Sequence, residues 1–483
     1  MVDVTQSLAL RRLIVSPIEP ATAQKLPVAP LGNTPPGPDF HATEGYKRYV
    51  IWLLFAVYVL NFVDRQIMTI LIQPIKQEFG FSDTQLGLLG GLAFAVLYST
   101  LGIPIARAAD RGNRVSIISI SLFVWSIFTA LTGFAQSFTQ LLMSRVAVGI
   151  GEAGCTPAAH SIISDYFSKE RRPGALSIYS MGIYGGVFMG FIVGGQVAFH
   201  YGWRPAFYAV GLPGVLVAIV LKLTLREPPR GFADGVRPAH EPLPLGAAVH
   251  SIWSIPSLRH GIMATALHAF VGYGIASFYP AFLMRTQPMS VAEVGNWLAL
   301  ATALGGFVGA YAGGAVSERM ARRKGDQRHQ LWVPAWSTLA SVPVGLLVYV
   351  LPSKLGVLAA MIFAIGLGAM YLGPASAITQ SLVGVRERAI AAAVALLVIN
   401  LIGLGLGPLL TGVLSDVFRG YHLKNGLADA AATAEGLRWS LIAMSVVNVW
   451  SALHYVIAAR TLREDLARVA GRPSGTYPTR TSA

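Results

Sequence analysis

The sequence is short of charge. Only 12% of its 483 residues are Asp, Glu, Lys or Arg, whereas 54% are hydrophobic. Ordinary soluble domains carry about 25% charged residues, and a soluble protein of this length would need that charge to cover its surface. Together with a mean hydropathy of +0.56, the deficit excludes a soluble globular protein and indicates one that lies within a membrane.

Cysteine and the common catalytic motifs are also missing. The single cysteine, Cys155, excludes a disulfide framework within the chain and a cysteine-based metal site. The sequence has no Gly-x-x-x-x-Gly-Lys-Ser/Thr string, so ATP is not expected as the direct energy source, and no His-Glu-x-x-His metal pair. We see no nucleophile–base or metal constellation of the kind that a membrane enzyme would need. We therefore predict no cofactor, no metal site and no enzymatic activity.

Long apolar stretches are what the sequence does have. A membrane-spanning helix needs about 20 mostly apolar residues, and twelve such stretches are present. They lie at about 49–75, 85–107, 115–135, 138–164, 174–199, 204–224, 258–284, 292–317, 331–352, 355–382, 388–415 and 437–459. The stretch at 204–224 is the least regular because it contains Pro205 and Pro213.

The basic residues indicate how these spans are oriented. If both termini are cytoplasmic, 28 of the 37 Lys and Arg residues fall in cytoplasmic segments, 7 in outer loops, and 2 within spans. Cytoplasmic loops of membrane proteins carry such an excess, and one missed helix would invert every later loop. The net charge of +14 is therefore mostly a topology signal spread over short loops, and we predict no nucleic-acid partner.

The chain divides into two similar halves. The longest hydrophilic break inside the membrane region follows the sixth span. The loop after span two contains Asp110, Arg111 and Arg114, and the loop after span eight repeats this pattern at the same offsets with Glu318, Arg319 and Arg322. We predict a tail at 1–46, disordered or only loosely ordered, a six-helix bundle at 47–226, a cytoplasmic linker at 227–255, a second six-helix bundle at 256–462 and a cytoplasmic tail at 463–483.

Small residues recur at every fourth position of four spans. Helix five carries Gly182, Gly186, Gly190 and Gly194; helix eleven carries Gly403, Gly407, Thr411 and Ser415; helices two and eight carry Gly87, Gly91, Ala95 and Ser99, and Ala301, Gly305, Gly309, Gly313 and Ser317. Such stripes allow close helix packing. They are explained either by tight packing alone or by surfaces on which two parallel halves slide around a central site, as in a rocking transporter. A channel is less compatible with a two-fold internal repeat.

At this point the residues resemble a known family. The loop after span two is similar to the Gly-x-Leu-Ala-Asp-Arg-x-Gly-Arg motif of the major facilitator superfamily, with Ala106 and Asn113 in place of its two glycines. Three strings in the first half resemble the Spinster-like family: Asn61-Phe62-Val63-Asp64-Arg65-Gln66, Ser82-Asp83-Thr84-Gln85-Leu86-Gly87 and Arg145-Val146-Ala147-Val148-Gly149-Ile150-Gly151-Glu152. The resemblance implies the major facilitator fold, an all-α membrane protein with twelve transmembrane helices in two pseudo-symmetric bundles of six, and a bacterial homologue of lysolipid or sphingosine-phosphate transporters.

Four ionisable residues lie within the predicted spans of the first half: Asp64 and Arg65 in helix one, Arg145 and Glu152 in helix four. Each costs about 3 kcal/mol or more at membrane depth, so such residues normally face a partner or a cavity. They form either a structural ion-pair cluster or a coupling and binding site. Their charges cancel, so an entering anion would leave the site negative unless a proton also entered.

On this argument we predict Asp64 as the main proton carrier and Glu152 as the second. Arg65 would hold the anionic head group of a substrate, because its planar guanidinium suits phosphate and carboxylate. Arg145 would pair with Glu152 in one state and be released in another. The resemblance implies the same roles for these positions.

The second half offers neutral polar and aromatic groups instead. The substrate-binding residues predicted besides Arg65 and Arg145 are Tyr58 and Asn61 from the first half and His268, Tyr273, Phe278, Tyr279, Tyr371, Thr379 and Asn400 from the second. A cavity that is charged on one wall and aromatic on the other suits an amphiphile. For each aromatic residue, core packing or a lipid-facing position is the simpler alternative, and His268 could equally be a hydrogen-bonded packing residue.

The loop charges at predicted cytoplasmic helix ends are interpreted as a gate: Asp110, Arg111, Arg114, Glu318, Arg319 and Arg322. In the resembled superfamily such residues pair when the cytoplasmic side is closed; the alternative is a plain topology signal.

The function predicted is transport of a small amphiphilic anion, such as a lysophospholipid or a sphingosine 1-phosphate-like lipid, driven by the proton gradient. We predict a functional monomer in the inner cell membrane whose partners are this substrate, protons and the lipid bilayer. A proton-coupled organic-anion or sugar-acid symporter and a multidrug exporter stay open as alternatives.

Overall fold

The computed structural model describes residues 42–168, 170–233, 250, 252–383 and 388–471. The side chains of residues 103, 110, 388–390 and 470 lie outside this described part. Residues 1–41 of the predicted tail at 1–46 and most of the predicted linker at 227–255 fall outside it, whereas residues 44–46 of that tail already belong to the first helix. Every regular element in the described residues is a helix, which confirms an all-α protein.

Twelve spanning units follow one another along the chain. In the first half they are α1 (Glu44–Phe79), α2 (Asp83–Gly87, Leu88–Leu92 and Ala93–Arg111), α3 (Arg114–Thr132), α4 (Phe138–Glu152 and Cys155–Tyr166), α5 (Arg172–Tyr201) and α6 (Trp203–Thr224). In the second half they are α7 (Pro256–Thr286), α8 (Val291–Ala301, Thr302–Gly306 and Phe307–Lys324), α9 (His329–Val350), α10 (Lys354–Ala369 and Leu372–Ser381), α11 (Arg388–Ile399, Asn400–Leu406 and Gly407–Lys424) and α12 (Asp429–Ala470).

Each unit coincides with one predicted span. Within the described residues, eleven helices are long and apolar enough to cross a membrane, and α4 takes the twelfth place in two shorter pieces. The prolines of α6 do not interrupt it. Pro205 lies in the first turn, where no intrahelical hydrogen bond is lost, and Pro213 lies inside a helix that continues to Thr224. The largest difference is α12, which extends well beyond the predicted 437–459 at both ends.

Irregular segments occur at matching positions of the two halves. Unit α4 breaks at Ala153 and Gly154, and its counterpart α10 breaks at Met370 and Tyr371. Units α2 and α8 each contain a π-helical stretch, as does α11. Such stretches free backbone groups and re-aim side chains, which is why they are frequent at functional sites.

The glycine stripes mostly pack within one half. A methyl group added at Gly186 of α5 would lie 2.5 Å from the Val59 carbonyl oxygen of α1. One added at Gly309 of α8 would lie 2.0 Å from the Gly366 carbonyl oxygen of α10. Tight packing inside a half therefore explains these two stripes, and the interpretation that they form sliding surfaces is wrong for them.

The stripe of α2, which begins at Gly87, does face the other half, and Gly295 and Gly412 also lie between the halves. Units α2 and α11 touch, as do α5 and α8. A methyl group at Gly87 would lie 2.3 Å from the Pro408 carbonyl oxygen, and one at Gly295 would lie 2.4 Å from that of Phe191. A methyl group added at Gly412 of α11 would lie 2.1 Å from the Asp83 carbonyl oxygen of α2. These contacts lie near the end of the bundle where α1 ends and α2 begins, called the closed end below.

Candidate transport site

Asp64 lies in the middle of α1 and faces α3. Its side chain is buried, with a relative exposure of 2%, and the Thr129 hydroxyl donates a hydrogen bond to its Oδ1. Its Oδ2 has no hydrogen-bond partner among the described residues. A carboxylate oxygen that is buried without a partner is costly, so this atom is poised to take a proton or a ligand.

Arg65 pairs with Glu152 of α4. Its Nε and Nη2 lie 2.8 and 2.7 Å from Glu152 Oε2. The guanidinium also lies among the rings of Phe62, Phe94 and Tyr98, at 5.2, 4.9 and 4.8 Å from their centroids. Cation–π contacts of this kind attract a cation, and the attraction is stronger where the cation is shielded from water. The structure therefore fixes Arg65 in place while leaving 18% of its side chain exposed.

Arg145 carries the least compensated charge of the cluster. Its guanidinium lies 5.4 Å from the Phe94 ring centroid, and its Nε has no hydrogen-bond partner among the described residues. Glu152 uses Oε2 for Arg65, and its Oε1 is likewise unpartnered. The predicted Arg145–Glu152 pair is thus not formed in this conformation, which corresponds to the released state of that prediction.

A cavity of about 340 Å³ lies mainly in the second half. Four of the predicted binding residues line it, namely His268, Tyr273, Tyr279 and Tyr371. The first half contributes Gln66, Val187 and Phe191. None of the described lining residues is an Asp, Glu, Lys or Arg, so the walls are neutral and largely apolar.

The cavity reaches the segment of α1 that carries Asp64 and Arg65. Gln66, which lines the cavity, follows Arg65 directly in α1. Tyr273 lines it from α7 and is 38% exposed. The described lining residues thus include the sequence neighbour of Arg65 but not Arg65 itself.

Several predicted binding residues have other surroundings. Tyr58 stacks on Tyr179 at 4.2 Å between ring centroids, and Asn61 is buried on the Asp64 side of α1 with its Oδ1 unpartnered among the described residues. Phe278 is fully buried in the apolar core, Thr379 donates to the Ala375 carbonyl of its own helix, and Asn400 begins the π-helical stretch of α11. Of these five residues, none lines the described cavity.

His268 is held on both ring nitrogens. Its Nε2 lies 2.8 Å from the Gly368 carbonyl oxygen, and its Nδ1 lies 3.3 Å from the Thr338 hydroxyl. Its ring packs on Tyr371 at 4.4 Å between centroids. His268 is therefore a hydrogen-bonded packing residue that also lines the cavity.

The predicted gate residues do not act together in this conformation. Arg114 is buried and belongs to the first half, where it pairs with Asp165 and, at 2.6 Å, with Glu227. Through these two pairs Arg114 links α3 to α4 and to the segment after α6. Glu318 and Arg322 pair with each other at 3.3 Å on the surface of α8. Arg111 and Arg319 are exposed, and the Asp110 side chain lies outside the described part.

A network at the closed end, which the sequence analysis missed, joins the two halves. Asp83 of α2 is 1% exposed and accepts two hydrogen bonds from Arg285 of α7, at 2.7 and 2.8 Å. Lys76 lies 2.7 Å from the same carboxylate, and the Ser415 hydroxyl of α11 donates to it at 2.6 Å. We call this set, with Asp416, the outer lock, after the orientation that the loop charges predict.

Asp416 completes the outer lock by capping α2 from the other half. Its carboxylate accepts from the backbone N–H groups of Asp83 and Thr84 at 3.1 and 2.8 Å. These are free N–H groups of a helix start, and a carboxylate there also interacts favourably with the helix dipole. The sequence carries two signals for it: Asp83 follows Lys76 by seven residues, and Lys76 and Arg285 are two of the seven basic residues in the predicted outer loops.

The described residues contain no group of three or more His, Cys, Asp or Glu side chains that could hold a metal ion. We call Asp64, Arg65, Arg145 and Glu152 the charge cluster, as distinct from the neutral cavity.

Comparisons with known proteins agree with this architecture. The family model described as the Major Facilitator Superfamily matches residues 54–408. An "MFS-type efflux pump" of Mycolicibacterium smegmatis is 33% identical over 424 residues, which cover 86% of this chain and 93% of that protein. "Protein spinster homolog 1" of Homo sapiens is 27% identical over 447 residues, covering 88% of this chain and 83% of that protein.

Among solved structures, a bacterial homologue of the human lysosomal transporter Spinster, in an inward-facing and unoccupied conformation, superposes with a TM-score of 0.80. It is 37% identical, and the match covers 88% of this chain and 99% of that one. With twelve helical units in two halves and a charge cluster beside a central cavity, this chain belongs to the Major Facilitator Superfamily and is a Spinster-like transporter, not an enzyme.

Proposed function

We propose that this protein is a proton-coupled secondary transporter of an amphiphilic organic anion, of the class of lysophospholipids and sphingoid phosphates. The observation that carries the proposal is that a neutral, largely apolar cavity reaches Gln66, the residue that directly follows Asp64 and Arg65 of the charge cluster in α1. One site then offers a place for a charged head and a place for an apolar body.

The charge cluster supports proton coupling. Its two carboxylates and two guanidinium groups sum to zero, and Asp64 and Glu152 each keep one buried oxygen unpartnered among the described residues. Entry of a monoanion beside Arg65 and Arg145 makes the site negative, and protonation of Asp64 restores neutrality. Because uncompensated charge is expensive at membrane depth, binding of the anion and of the proton favour each other.

The cavity supports an amphiphilic rather than a small hydrophilic substrate. Its volume of about 340 Å³ falls at the lower end of the range of small-molecule sites. Its walls carry tyrosine, phenylalanine, valine and isoleucine side chains. A sugar acid, which is polar throughout, would leave most of its hydroxyl groups facing apolar walls.

The outer lock supports alternating access. With the predicted orientation, the closed end faces outward and the observed conformation is inward-facing. Rocking of the halves would break the Asp83–Arg285 and Asp416–α2 contacts and open that side. The inner-membrane location, the cytoplasmic termini and a functional monomer belong to the same proposal.

An efflux pump for drugs is the second candidate, favoured by the relative from Mycolicibacterium smegmatis. Neither an acidic nor a basic residue lines the described cavity, so its neutral walls do not separate the two candidates and the transport assay below does.

Purified protein in liposomes with an imposed pH gradient tests the proposal. Uptake of radiolabelled lysophosphatidate, sphingosine phosphate, hexuronate and a cationic dye is compared in the wild type and in Asp64→Asn. We expect pH-driven transport of the two lipid phosphates only, lost in the variant. Hexuronate or dye transport without a lipid response would overturn the proposal.

A further inference from the structure

One aromatic ring of the first half lies against both arginines of the charge cluster. Phe94 of α2 is 1% exposed, and its ring centroid lies 4.9 Å from the guanidinium carbon of Arg65 and 5.4 Å from that of Arg145. Phe62 and Tyr98 have only Arg65 over their rings among the described residues. Phe94 is therefore the ring that the two cations share, and the proposed proton coupling gives it no role.

The shared ring matters most to Arg145. Arg65 already has the Glu152 carboxylate at 2.7 Å, whereas the Nε of Arg145 has no hydrogen-bond partner among the described residues. The negative face of an aromatic ring attracts a cation, and it does so more strongly where water is excluded. Because Arg145 is only 3% exposed, its contact with Phe94 helps to keep the guanidinium in place, apart from Glu152.

The backbone of Phe94 packs on α4 between the two residues of the predicted pair. A methyl group added at Gly149 would lie 2.8 Å from the Phe94 carbonyl oxygen. Gly149 follows Arg145 by four residues and precedes Glu152 by three, and residues at these spacings are neighbours on one face of a helix. Unit α2 therefore crosses α4 at the level where Arg145 and Glu152 would meet.

On another side, α2 is seated on α11 of the second half at the same level. A methyl group added at Gly91 would lie 2.8 Å from a carbonyl oxygen of α11, and one added at Gly405 of α11 would lie 3.4 Å from the Ala95 side chain. Gly91 and Ala95 come just before and just after Phe94, and the π-helical stretch Leu88–Leu92 ends two residues before it. The direction of the ring thus depends on a part of α2 that contacts both halves and is irregularly wound.

We infer that Phe94 is a positioning residue that couples closure of the closed end to the pairing within the charge cluster. While α2 is seated on α11, the ring lies against Arg145 and leaves Glu152 paired with Arg65. When the halves separate at the closed end, α2 loses this seat, the ring turns away and Arg145 pairs with Glu152. The inference rests on the alternating access of the proposed function, but on neither its substrate nor its proton.

Coupling of this kind is reciprocal. If the ring contacts the guanidinium groups only in the closed arrangement, weakening that contact must lower the population of the closed arrangement by the same factor. A ring that only filled space would not respond to a change in its charge distribution at constant shape. The electrostatic character of the ring is therefore the property to vary.

The test replaces Phe94 by its mono-, di- and trifluorinated analogues, which keep the shape of the ring and reduce the negative charge on its face. Opening of the closed end is measured with Ala292→Cys, at a position that is 8% exposed and lies against Gly195 of α5. The rate at which this thiol reacts with a water-soluble maleimide follows the open population when reaction is slow compared with reclosing. The protein is full-length, in nanodiscs and without substrate, and labelling of the native Cys155 is subtracted.

The matched control is trifluorination of Phe207 in α6. This ring is also 1% exposed, but it packs edge-to-face on Trp203 at 5.9 Å between centroids and has no cation over it among the described residues. A second variant, Phe94→Leu, removes the ring altogether.

The labelling rate should rise with each fluorine at Phe94, by about three- to tenfold for the trifluorinated ring, and at least as far in Phe94→Leu. The Phe207 control should label as the wild type does. An unchanged rate with the fluorinated rings at Phe94 would overturn the inference, even if Phe94→Leu raised it, because the ring would then only fill space. An equal rise from the Phe207 control would overturn it as well. Since no substrate is present, failure of lipid transport in liposomes would overturn the proposed substrate and leave this result unaffected.

Discussion

The two halves of the molecule share a scaffold but differ in chemistry. Both place a break in the fourth unit and a π-helical stretch in the second. The first half buries Asp64, Arg65, Arg145 and Glu152 around aromatic rings. The second half contributes most of a neutral cavity, which is lined by tyrosines and a hydrogen-bonded histidine.

This difference shows how a duplicated scaffold can separate two tasks. Charges that move protons must be desolvated and close together, so that a change in one alters the others. A wall that accepts an apolar body must be free of charge, because any charge there would cost desolvation energy without a partner. On the proposed function, keeping the two in different halves lets rocking change their relation without disturbing either.

The largest effect is expected from Asp64→Asn. The substitution removes the carboxylate that lies beside Thr129 and interacts electrostatically with Glu152 and Arg145. Uptake driven by a pH gradient should fall to background, whereas folding, judged by size-exclusion profile and thermal stability, should persist because the neutral side chain retains the size and the hydrogen-bonding oxygen. Glu78→Gln, which removes an exposed pair with Arg204 in the same half, is the control. Normal proton-driven uptake by the Asp64→Asn variant would show that Asp64 is not the proton carrier.

The second largest effect is expected from Asp83→Asn, which weakens the contact between the two halves. It leaves Arg285 and Lys76 without their shared carboxylate, and loss of one partner of a buried ion pair costs about 3–5 kcal/mol. The closed arrangement should lose more than about a hundredfold in population. Distances between spin labels across the closed end would report this as a longer, outward-open component.

The matched control for this variant is Glu293→Gln. It breaks a 3.0 Å pair with Lys354 at the same end of the molecule but within the second half. Equal label distances in the wild type and in Asp83→Asn would mean that the outer lock does not hold the closed state.

Gly412→Ala should act on the same join through packing. Its methyl group would lie 2.1 Å from the Asp83 carbonyl oxygen, and overpacking of this kind costs about 1–3 kcal/mol. Spin-label distances at the closed end should lengthen, and transport rates should fall several-fold. Gly90→Ala, a nearby position with nothing within 4 Å of the added methyl group, should leave both unchanged; an identical response of the two variants would exclude the packing argument.

Tyr371→Leu tests the neutral half. It removes a ring that lines the cavity and packs on His268, at a cost of about 1 kcal/mol in aromatic contact. The KM for lysophosphatidate should rise about fivefold, while the number of protons carried per substrate stays the same, as measured by parallel uptake of substrate and acid. A changed proton ratio would show that the two halves do not divide the tasks.

The smallest effect is expected from Glu318→Ala. Its pair with Arg322 is exposed on both sides and lies within one helix, and such pairs contribute about 0.3–0.5 kcal/mol. Thermal stability and the population of the closed end should stay within error of the wild type. A large shift toward either conformation would restore Glu318 as a gate residue of this state.

Some features could be predicted because they depend on local sequence. The twelve spans, including α6 with its two prolines, followed from the length of apolar runs. The intramembrane position of Asp64, Arg65, Arg145 and Glu152 followed from charges inside those runs. The cavity residues His268, Tyr273, Tyr279 and Tyr371 were found because they interrupt apolar helices with polar or aromatic groups.

Other features could not be predicted because they depend on which helices meet. The stripe of α5 faces α1, and that of α8 faces α10, although spacing alone allowed them to face the opposite half. Arg114 was expected at a gate but is buried against Asp165 and Glu227. Phe278 and Thr379 lie on predicted helices, yet they face away from the cavity lining.

The sequence by itself determined that this protein crosses a membrane with two similar six-helix halves and carries charge deep within the spans of only one of them, since hydropathy, loop charge and repeats are written along the chain. Only the tertiary structure decided that Glu152 pairs with Arg65 instead of Arg145, that Asp416 caps a helix of the other half, and that His268 and Tyr371 pack together on the wall of one cavity. Those contacts join residues from separate helices, and their geometry is set by packing between helices, which no local pattern specifies.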